Sequence, residues 1–195
     1  MILLSVDPSI NSPGVALFRD GVLIAAGNPR PGIHVGANEA TRCMHVADAV
    51  VTWAAMHTEC VDQIAHEWPQ VYAEGKGKGN PNGLLPMVGV NLAIDMLIRE
   101  RMRQSGVELV VTSYLPATWI GQLPKVCSKC HGRASKRCAL CSGSAKRTPR
   151  GVRIMSRLSP AEALLVPDQH DVIDGLGIGL FHLGRLAPRR VYTTG

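Results

Sequence analysis

The feature that most constrains this chain is an aspartate at the end of a short buried strand. Residues 2–6 form an apolar, partly β-branched run that predicts a central strand, and the strand ends at Asp7 because a proline follows it. We therefore expect the Asp7 carboxylate at the edge of a sheet, facing a cleft that the remaining elements surround.

Two more strands follow the first one closely. Residues 15–19 and 22–26 are apolar runs, and the Asp20-Gly21 pair between them is a two-residue hairpin signal. The Pro13-Gly14 pair marks the restart of the chain before the second run. These patterns predict three antiparallel strands with an aspartate on the first.

Helices and strands then alternate along the chain. Residues 38–57 predict a helix, residues 61–65 a fourth strand and residues 84–104 a long helix. A fifth strand is predicted over residues 107–112, and Glu67 repeats the first pattern as an acid that follows a strand and precedes a proline. The chain therefore predicts an α/β fold with a mixed five-stranded sheet flanked by helices.

Each of the two long helices carries a predicted apolar face. The face of the first helix comprises Met44, Ala47, Val50, Val51 and Ala54. The face of the second helix includes Leu84, Met87, Val88, Leu92, Met96 and Leu97. Because these residues recur at helical spacing, we expect the first helix to pack on the sheet through its apolar face.

The last predicted helix gathers polar residues at its start. Asp171 and Asp174 are three residues apart and share a helix face, and His170 is a neighbour of Asp174. Like charges at this spacing repel, and each of three interior glycines costs roughly 1 kcal/mol relative to alanine. A helix that tolerates both penalties indicates a functional site, and the alternative is an exposed acidic first turn that suits the helix dipole.

Two stretches of the sequence are similar to motifs of the RuvC family of Holliday junction resolvases. The pattern D-P-S-x-N-x-x-G-V-A that begins at Asp7 resembles the first motif, and the HDVIDGLGIGLFHLG segment that begins at His170 resembles the closing motif. The resemblance covers most of the chain except residues 125–150. It implies an RNase H-like fold of the retroviral integrase superfamily, with a single nuclease domain over residues 1–195.

The resemblance assigns four acids to one catalytic site. The family order is an aspartate on the first strand, a glutamate after the fourth strand and a paired final motif, which is matched by Asp7, Glu67, Asp171 and Asp174. The position of Asp171 is aspartate or histidine in the family, so His170 is the alternative ligand. Four carboxylates in one cleft stay ionised only if cations neutralise them, and oxygen ligands select Mg²⁺ or Mn²⁺. We expect two such ions about 4 Å apart, acting on a phosphodiester bond.

The reaction implied by the resemblance is the resolution of four-way DNA junctions by paired symmetric nicks that leave 5′-phosphate ends. Symmetric cuts require two sites and a two-fold axis, so we expect a homodimer. Analogy with the family places the dimer surface on the helix over residues 84–104. Two alternatives stay open: another RNase H-like nuclease that acts on flaps or RNA–DNA hybrids, and an inactive zinc-stabilised module that binds nucleic acid.

Four cysteines predict a zinc site within the segment that the resemblance leaves out. They form two C-x-x-C pairs separated by seven residues, and they are Cys127, Cys130, Cys138 and Cys141. Such pairs present four thiolates to one ion in tetrahedral geometry, and a closed site of this kind folds a loop without doing chemistry. We expect one structural Zn²⁺ per chain in an insertion over residues 125–150, and buried thiols at Cys43 and Cys60.

Positive charge is concentrated in the same region. The formal net charge is +6, no acidic residue lies between Glu108 and Glu162, and residues 125–157 carry ten of the 21 Lys and Arg. A block of one sign predicts contact with nucleic acid, and the alternative is a solvated loop. The residues predicted to contact DNA are Lys76, Lys78, Lys125, Lys129, Arg133, Lys136, Arg137, Lys146, Arg147 and Arg150. Tyr72 is added because it resembles the family's aromatic wedge, and Trp68 is the competing position.

Two absences in the sequence bear on location. The sequence has no apolar run of the roughly 20 residues that a membrane span requires. It also has no charged and apolar leader with a cleavage site, which predicts a cytoplasmic protein. Six cysteines in a reducing compartment favour metal ligation or free thiols over disulfides.

Overall fold

The structure is a computed structural model that describes residues 1–32, 38–69, 81–120, 148–167 and 169–186. Within these ranges, the side chains of residues 81–83, 117, 120, 148, 149 and 170 are not described. The predicted zinc-binding insertion therefore lies almost entirely outside the described residues.

One mixed sheet runs through the described residues. Its strands are β1 (Ile2–Asp7), β2 (Gly14–Arg19), β3 (Val22–Gly27), β4 (Gln63–Glu67) and β5 (Val110–Tyr114). The strand order is β3-β2-β1-β4-β5, in which β1 pairs antiparallel with β2 and parallel with β4. The prediction of a mixed five-stranded sheet is confirmed.

The hairpin between β2 and β3 follows from its two turn residues. Asp20 has a φ of 51° and Gly21 has a φ of 81°. Two successive residues with positive φ make the kind of turn whose twist matches antiparallel strands, and an Asp-Gly pair favours that turn. The predicted hairpin is therefore confirmed.

Helices cover both faces of the sheet. They are α1 (Glu39–Ala55), α2 (Pro81–Gln104), α3 (Pro116–Ile120), α4 (Thr148–Met155), α5 (Pro160–Ala163) and α6 (His170–His182). Side chains alternate along a strand, so Leu4 packs in the core beneath α1 and α2, whereas Leu3 packs in the core beneath α6. None of the helices in the described residues is both long and apolar enough to cross a bilayer.

Strands β4 and β5 both begin and end later in the chain than the sequence predicts. Strand β4 continues through Glu67 because its parallel pairing with β5 extends to the Glu67–Tyr114 pair. Strand β5 starts at Val110 because the preceding residues complete the end of α2: Gly106 has a φ of 68°, and the Val107 amide donates to the Met102 carbonyl at 3.2 Å. Glu67 is thus the last residue of its strand rather than a residue beyond it.

The predicted apolar faces of the two long helices are partly wrong. Met44 is 47% exposed on α1, and Leu92 and Met96 are 49% and 70% exposed on α2. The buried apolar residues of α2 are Val90, Ala93, Ile94, Ile98 and Met102. Apolar side chains surround much of this helix, so their spacing alone does not decide which stripe meets the sheet.

Candidate active site

Two predicted catalytic acids end neighbouring strands at one edge of the sheet. Asp7 is the last residue of β1 and Glu67 is the last residue of β4, its parallel neighbour. Leu3 and Ala65 lie an even number of residues earlier on the two strands, and both belong to the core beneath α6. Because side chains alternate, Asp7 and Glu67 face the same helix.

Glycines bring the start of α6 directly onto this edge. Gly14 pairs with Asp7 across β1 and β2. A Cβ atom on Gly14 would overlap the backbone oxygen of Asp171, and one on Gly175 would overlap the backbone oxygen of Gly14. Only glycine permits such close backbone approach, and the result is that Asp171 and Asp174 join Asp7 at the edge.

Two side chains from α3 and α4 hold two of these carboxylates. The indole nitrogen of Trp119 donates to Oε2 of Glu67 at 2.7 Å, and Trp119 is 1% exposed. The Arg150 guanidinium donates to Oδ2 of Asp174 at 2.6 Å, and its Cζ lies 5.9 Å from the centre of the Trp119 ring. Trp119 and Arg150 therefore contact each other as well as the acids.

A hydrogen-bonded chain from the loop before β2 holds a third carboxylate. The Ser12 hydroxyl donates to Oδ2 of Asp171 at 2.5 Å, and the Asn28 amide donates to the Ser12 hydroxyl at 2.8 Å. The Arg30 side chain in turn donates to the Asn28 carbonyl oxygen at 3.0 Å. The orientation of Asp171 is therefore set by residues of the first motif and of the end of β3.

Glu67 is also fixed from the opposite face of the sheet. The Asn91 amide of α2 donates to the Glu67 backbone oxygen at 2.8 Å, and Asn91 is 1% exposed. The neighbouring His66 ring nitrogen Nε2 lies 2.8 Å from the Ser113 hydroxyl of β5. A buried amide that pairs with the last strand carbonyl keeps the end of β4 in place.

The acids share one electrostatic environment. Burial raises the pKa of Asp7 well above its usual range, and the charges of Glu67, Asp174 and Asp171 raise this pKa further. Burial also raises the pKa of Glu67, and the charge of Asp174 adds to that increase. Arg150 opposes the increase in pKa at both Asp7 and Glu67. The cluster therefore favours either protons or a nearby cation.

The donor types suit a divalent cation, but their present positions do not. Carboxylate oxygens are the ligands that Mg²⁺ and Mn²⁺ prefer. Within the described part of the chain, however, no group of three or more His, Cys, Asp or Glu side chains is placed to hold a metal ion. In these positions Trp119, Arg150 and Ser12 each donate to one carboxylate oxygen of the cluster.

Many of the predicted site residues lie outside the described residues. These are Tyr72, Lys76, Lys78, Lys125, Cys127, Lys129, Cys130, Arg133, Lys136, Arg137, Cys138, Cys141, Lys146 and Arg147. The backbone of His170 begins α6, but its side chain is not described. The zinc site, the wedge, the choice between His170 and Asp171 and most DNA contacts therefore stay predictions. Trp68, the competing wedge, is half-buried, and its ring lies edge-on to the His66 ring with 6.0 Å between the ring centres.

Four residues of the site were not predicted as functional: Ser12, Asn28, Asn91 and Trp119. Ser12 lies inside the first motif, at a position that the motif leaves open, so the sequence offered a weak signal. Trp119 lies shortly before the basic segment, where a large aromatic residue could have indicated an anchor. Asn28 and Asn91 are brought to the site by tertiary packing, and no local pattern marks them.

Comparison with solved structures identifies the fold. RuvC of Thermus thermophilus in complex with a Holliday junction substrate has a TM-score of 0.56 and 14% identity, over 94% of this chain and 92% of that one. A second structure of T. thermophilus RuvC has a TM-score of 0.52 and 16% identity, over 94% and 93%. The yeast mitochondrial Holliday junction resolvase Ydc2 has a TM-score of 0.54 and 11% identity, over 95% and 80%. The described chain thus has a RuvC-like fold.

Sequence comparison adds nothing to this result. No family model matches the chain, and no curated protein matches it. At identities between 11% and 16%, the likeness concerns the fold alone.

Proposed function

We propose that the protein is a divalent-metal-dependent endonuclease that resolves four-way DNA junctions by paired symmetric nicks. The observation that carries the proposal is the meeting of four acids, Asp7, Glu67, Asp171 and Asp174, at the edge where β1, β4 and α6 join. The likeness to RuvC and to a mitochondrial resolvase supports the choice of nuclease and of branched DNA as substrate.

The proposed tasks of the acids follow from their positions. Asp7 interacts electrostatically with all three other acids, so it would be a ligand of the bound cations. Glu67, Asp174 and either Asp171 or His170 would complete the two sets of ligands. Two bound Mg²⁺ or Mn²⁺ ions would supply a hydroxide nucleophile and stabilise the departing 3′ oxygen, which leaves 5′-phosphate ends.

A homodimer is part of the proposal, because symmetric nicks require two sites. The exposed apolar residues Leu85, Leu92 and Met96 are spaced by seven and four positions, so they form one stripe on α2. An exposed apolar stripe of this kind is typical of an interaction surface. We expect Met96→Glu to convert a dimer to a monomer, measured by light scattering after size exclusion. A wild-type monomer would contradict this part of the proposal.

The cysteine-rich segment is proposed to fold around one Zn²⁺ and to present its positive charge to the junction. The support is the spacing of Cys127, Cys130, Cys138 and Cys141 together with the absence of acids around them. We expect stoichiometric zinc in the purified protein and its loss, with weaker junction binding, in the Cys127→Ser, Cys141→Ser double variant. A zinc-free protein with unchanged junction affinity would refute this assignment.

One cleavage experiment tests the central claim. Wild type and Asp7→Asn are incubated with a four-way junction, a linear duplex, a flap and an RNA–DNA hybrid, each with and without Mg²⁺. We expect symmetric cuts in the junction that depend on Mg²⁺ and are absent from Asp7→Asn. Preferred cutting of the flap or hybrid would instead identify another RNase H-like nuclease.

The same experiment separates the enzyme from an inactive binding module. The ion pair between Arg150 and Asp174 is the observation that favours such a module, since an arginine occupies one of the proposed ligands. Junction binding without cleavage of any substrate in Mg²⁺ or Mn²⁺ would support the module. Metal-dependent cleavage would exclude it.

A further inference from the structure

The Arg150 side chain is held at the carboxylate cluster from two directions. Its Nη2 atom lies 2.6 Å from Oδ2 of Asp174, and its guanidinium lies over the ring of Trp119. Trp119 in turn donates its indole N–H to Glu67. The Arg150 guanidinium therefore contacts Asp174 directly and packs on Trp119, which is hydrogen-bonded to Glu67.

The charge of Arg150 acts on more of the cluster than the acid it contacts. The positive charge lowers the otherwise raised pKa values of Asp7 and Glu67, although the ion pair of Arg150 is with Asp174. Repulsion between buried like charges is relieved either by protonation or by a nearby cation. Arg150 supplies such a charge from within the protein.

The guanidinium also occupies an oxygen of the proposed metal site. Asp174 Oδ2 is one of the oxygens that a divalent cation would need, and Arg150 already occupies it. The Arg150 and Asp174 side chains are 26% and 15% exposed, so the pair is reachable from solvent. A doubly charged ion would compensate these carboxylates more strongly than a single guanidinium does, which makes the exchange feasible.

We propose that Arg150 is the internal counter-ion of the carboxylate cluster in the free protein, and that it competes with divalent cations for Asp174. Binding of a metal ion then displaces the guanidinium, which becomes available to the DNA backbone as the sequence predicts. This inference rests on the proposed function only in placing the cation at the same acids. It does not require that the protein cleave DNA.

The test is the binding of Mn²⁺ and Mg²⁺ to the whole protein without DNA, measured by titration calorimetry. Arg150→Gln removes the competing cation, and Arg153→Gln is the matched control because it removes the same charge three residues along α4. We expect Arg150→Gln to bind Mn²⁺ about tenfold more tightly than Arg153→Gln, which corresponds to the loss of one modest ion pair. Equal affinities, or weaker binding by Arg150→Gln, would overturn the proposal.

A second readout uses the wild type and does not depend on the folding of a variant. The ¹⁵N side-chain signal of Arg150, assigned with Arg150→Lys, is followed by NMR as Mg²⁺ is added without DNA. We expect this signal to move with the same midpoint as the calorimetric titration, and an unchanged signal at saturating Mg²⁺ would overturn the proposal. Displacement of Arg150 in a protein that cleaves nothing would refute the proposed function alone.

Discussion

The two faces of the sheet are built from the same strands, but they carry different kinds of side chain. On the face beneath α1 and α2, the core is mostly apolar, and its buried polar residues include Asn91 of α2 and His66 of β4. On the face beneath α6, the core ends in four carboxylates, and glycines set the distance between helix and strand. Both faces are closely packed, but only the second carries groups that repel one another.

This difference indicates how the fold separates stability from chemistry. Apolar burial beneath α2 stabilises the sheet whatever the charge state of the acids. The close approach of α6, by contrast, places Asp171 and Asp174 beside Asp7, which opposes folding when all are ionised. Changes on the first face should therefore affect unfolding, and changes on the second should affect cleavage first.

Asp7→Asn is expected to give the largest effect, which is a loss of cleavage. The substitution removes the carboxylate that interacts with all the other acids, so junction cleavage should fall by at least about 100-fold. Junction binding should be unchanged or tighter, because one negative charge near the phosphates is lost. Single-turnover cleavage and a binding titration measure the two quantities, and normal turnover by Asp7→Asn would refute the site.

Ile94→Ala tests the face beneath α2, where we expect an effect on stability rather than on cleavage. Ile94 is 1% exposed in the core beneath α2, so its truncation should lower the free energy of unfolding by about 2–5 kcal/mol. Cleavage by the folded fraction should remain near the wild-type rate. Urea unfolding and single-turnover cleavage at low temperature check both statements, and a large loss of rate without loss of stability would break the comparison.

A pair of glycine substitutions sharpens the contrast between the two helices. In Gly175→Ala the new methyl group meets the Gly14 backbone, which cannot move aside, so we expect about 1–3 kcal/mol of destabilisation and slower cleavage. In Gly89→Ala on α2 the nearest atom is Sγ of Cys43, 3.0 Å from the new Cβ. The clash is with one side-chain atom rather than with backbone, and alanine favours a helix, so the loss of stability should be smaller than for Gly175→Ala. Equal losses for the two variants would contradict the argument.

The pH dependence of stability should show the smallest effect. Because the pKa of Asp7 is raised in the folded state, the protonated form stabilises folding at low pH, and this contribution is lost as pH rises through the folded pKa. The Asp7→Asn variant has no carboxyl group at this position, so its stability does not fall with pH for this reason. We therefore expect its melting temperature to exceed that of wild type by an amount that grows with pH and then levels off, measured without divalent cations. A constant difference from acid to neutral pH would contradict the pKa shift.

Much of the fold could be predicted from the sequence because its signals are local. Each signal involves only a few neighbouring residues: a strand that ends in an acid, an Asp-Gly turn and a glycine-rich last helix. Their order along the chain predicted the strands of the sheet. Strand β5 was misplaced because Val107 and Leu109 are apolar for another reason: they follow the end of α2 and lie against the core beneath it. Apolar character alone does not separate a strand from a packed connection.

The acids of the site could be predicted, but their partners could not. These acids, Asp7, Glu67, Asp171 and Asp174, stand at or near the ends of β1, β4 and α6, which the fold brings together. The contacts of Trp119 with Glu67 and of Arg150 with Asp174 depend on how α3 and α4 pack, and no periodic pattern encodes that. Arg150 was predicted to contact DNA from its charge, and its sequence position gave no indication of the neighbouring acid.

The contact between the loop before β2 and the start of α6 has a consequence for the order of synthesis. Ser12 and Asp171 touch although 159 residues separate them in the sequence. Chains are made from the amino terminus, so β1 and Asp7 leave the ribosome long before α6, and contacts between distant segments form late in folding. An unfinished chain therefore lacks half of the carboxylate cluster, and the chemistry proposed for the cluster cannot begin before translation has passed the last helix.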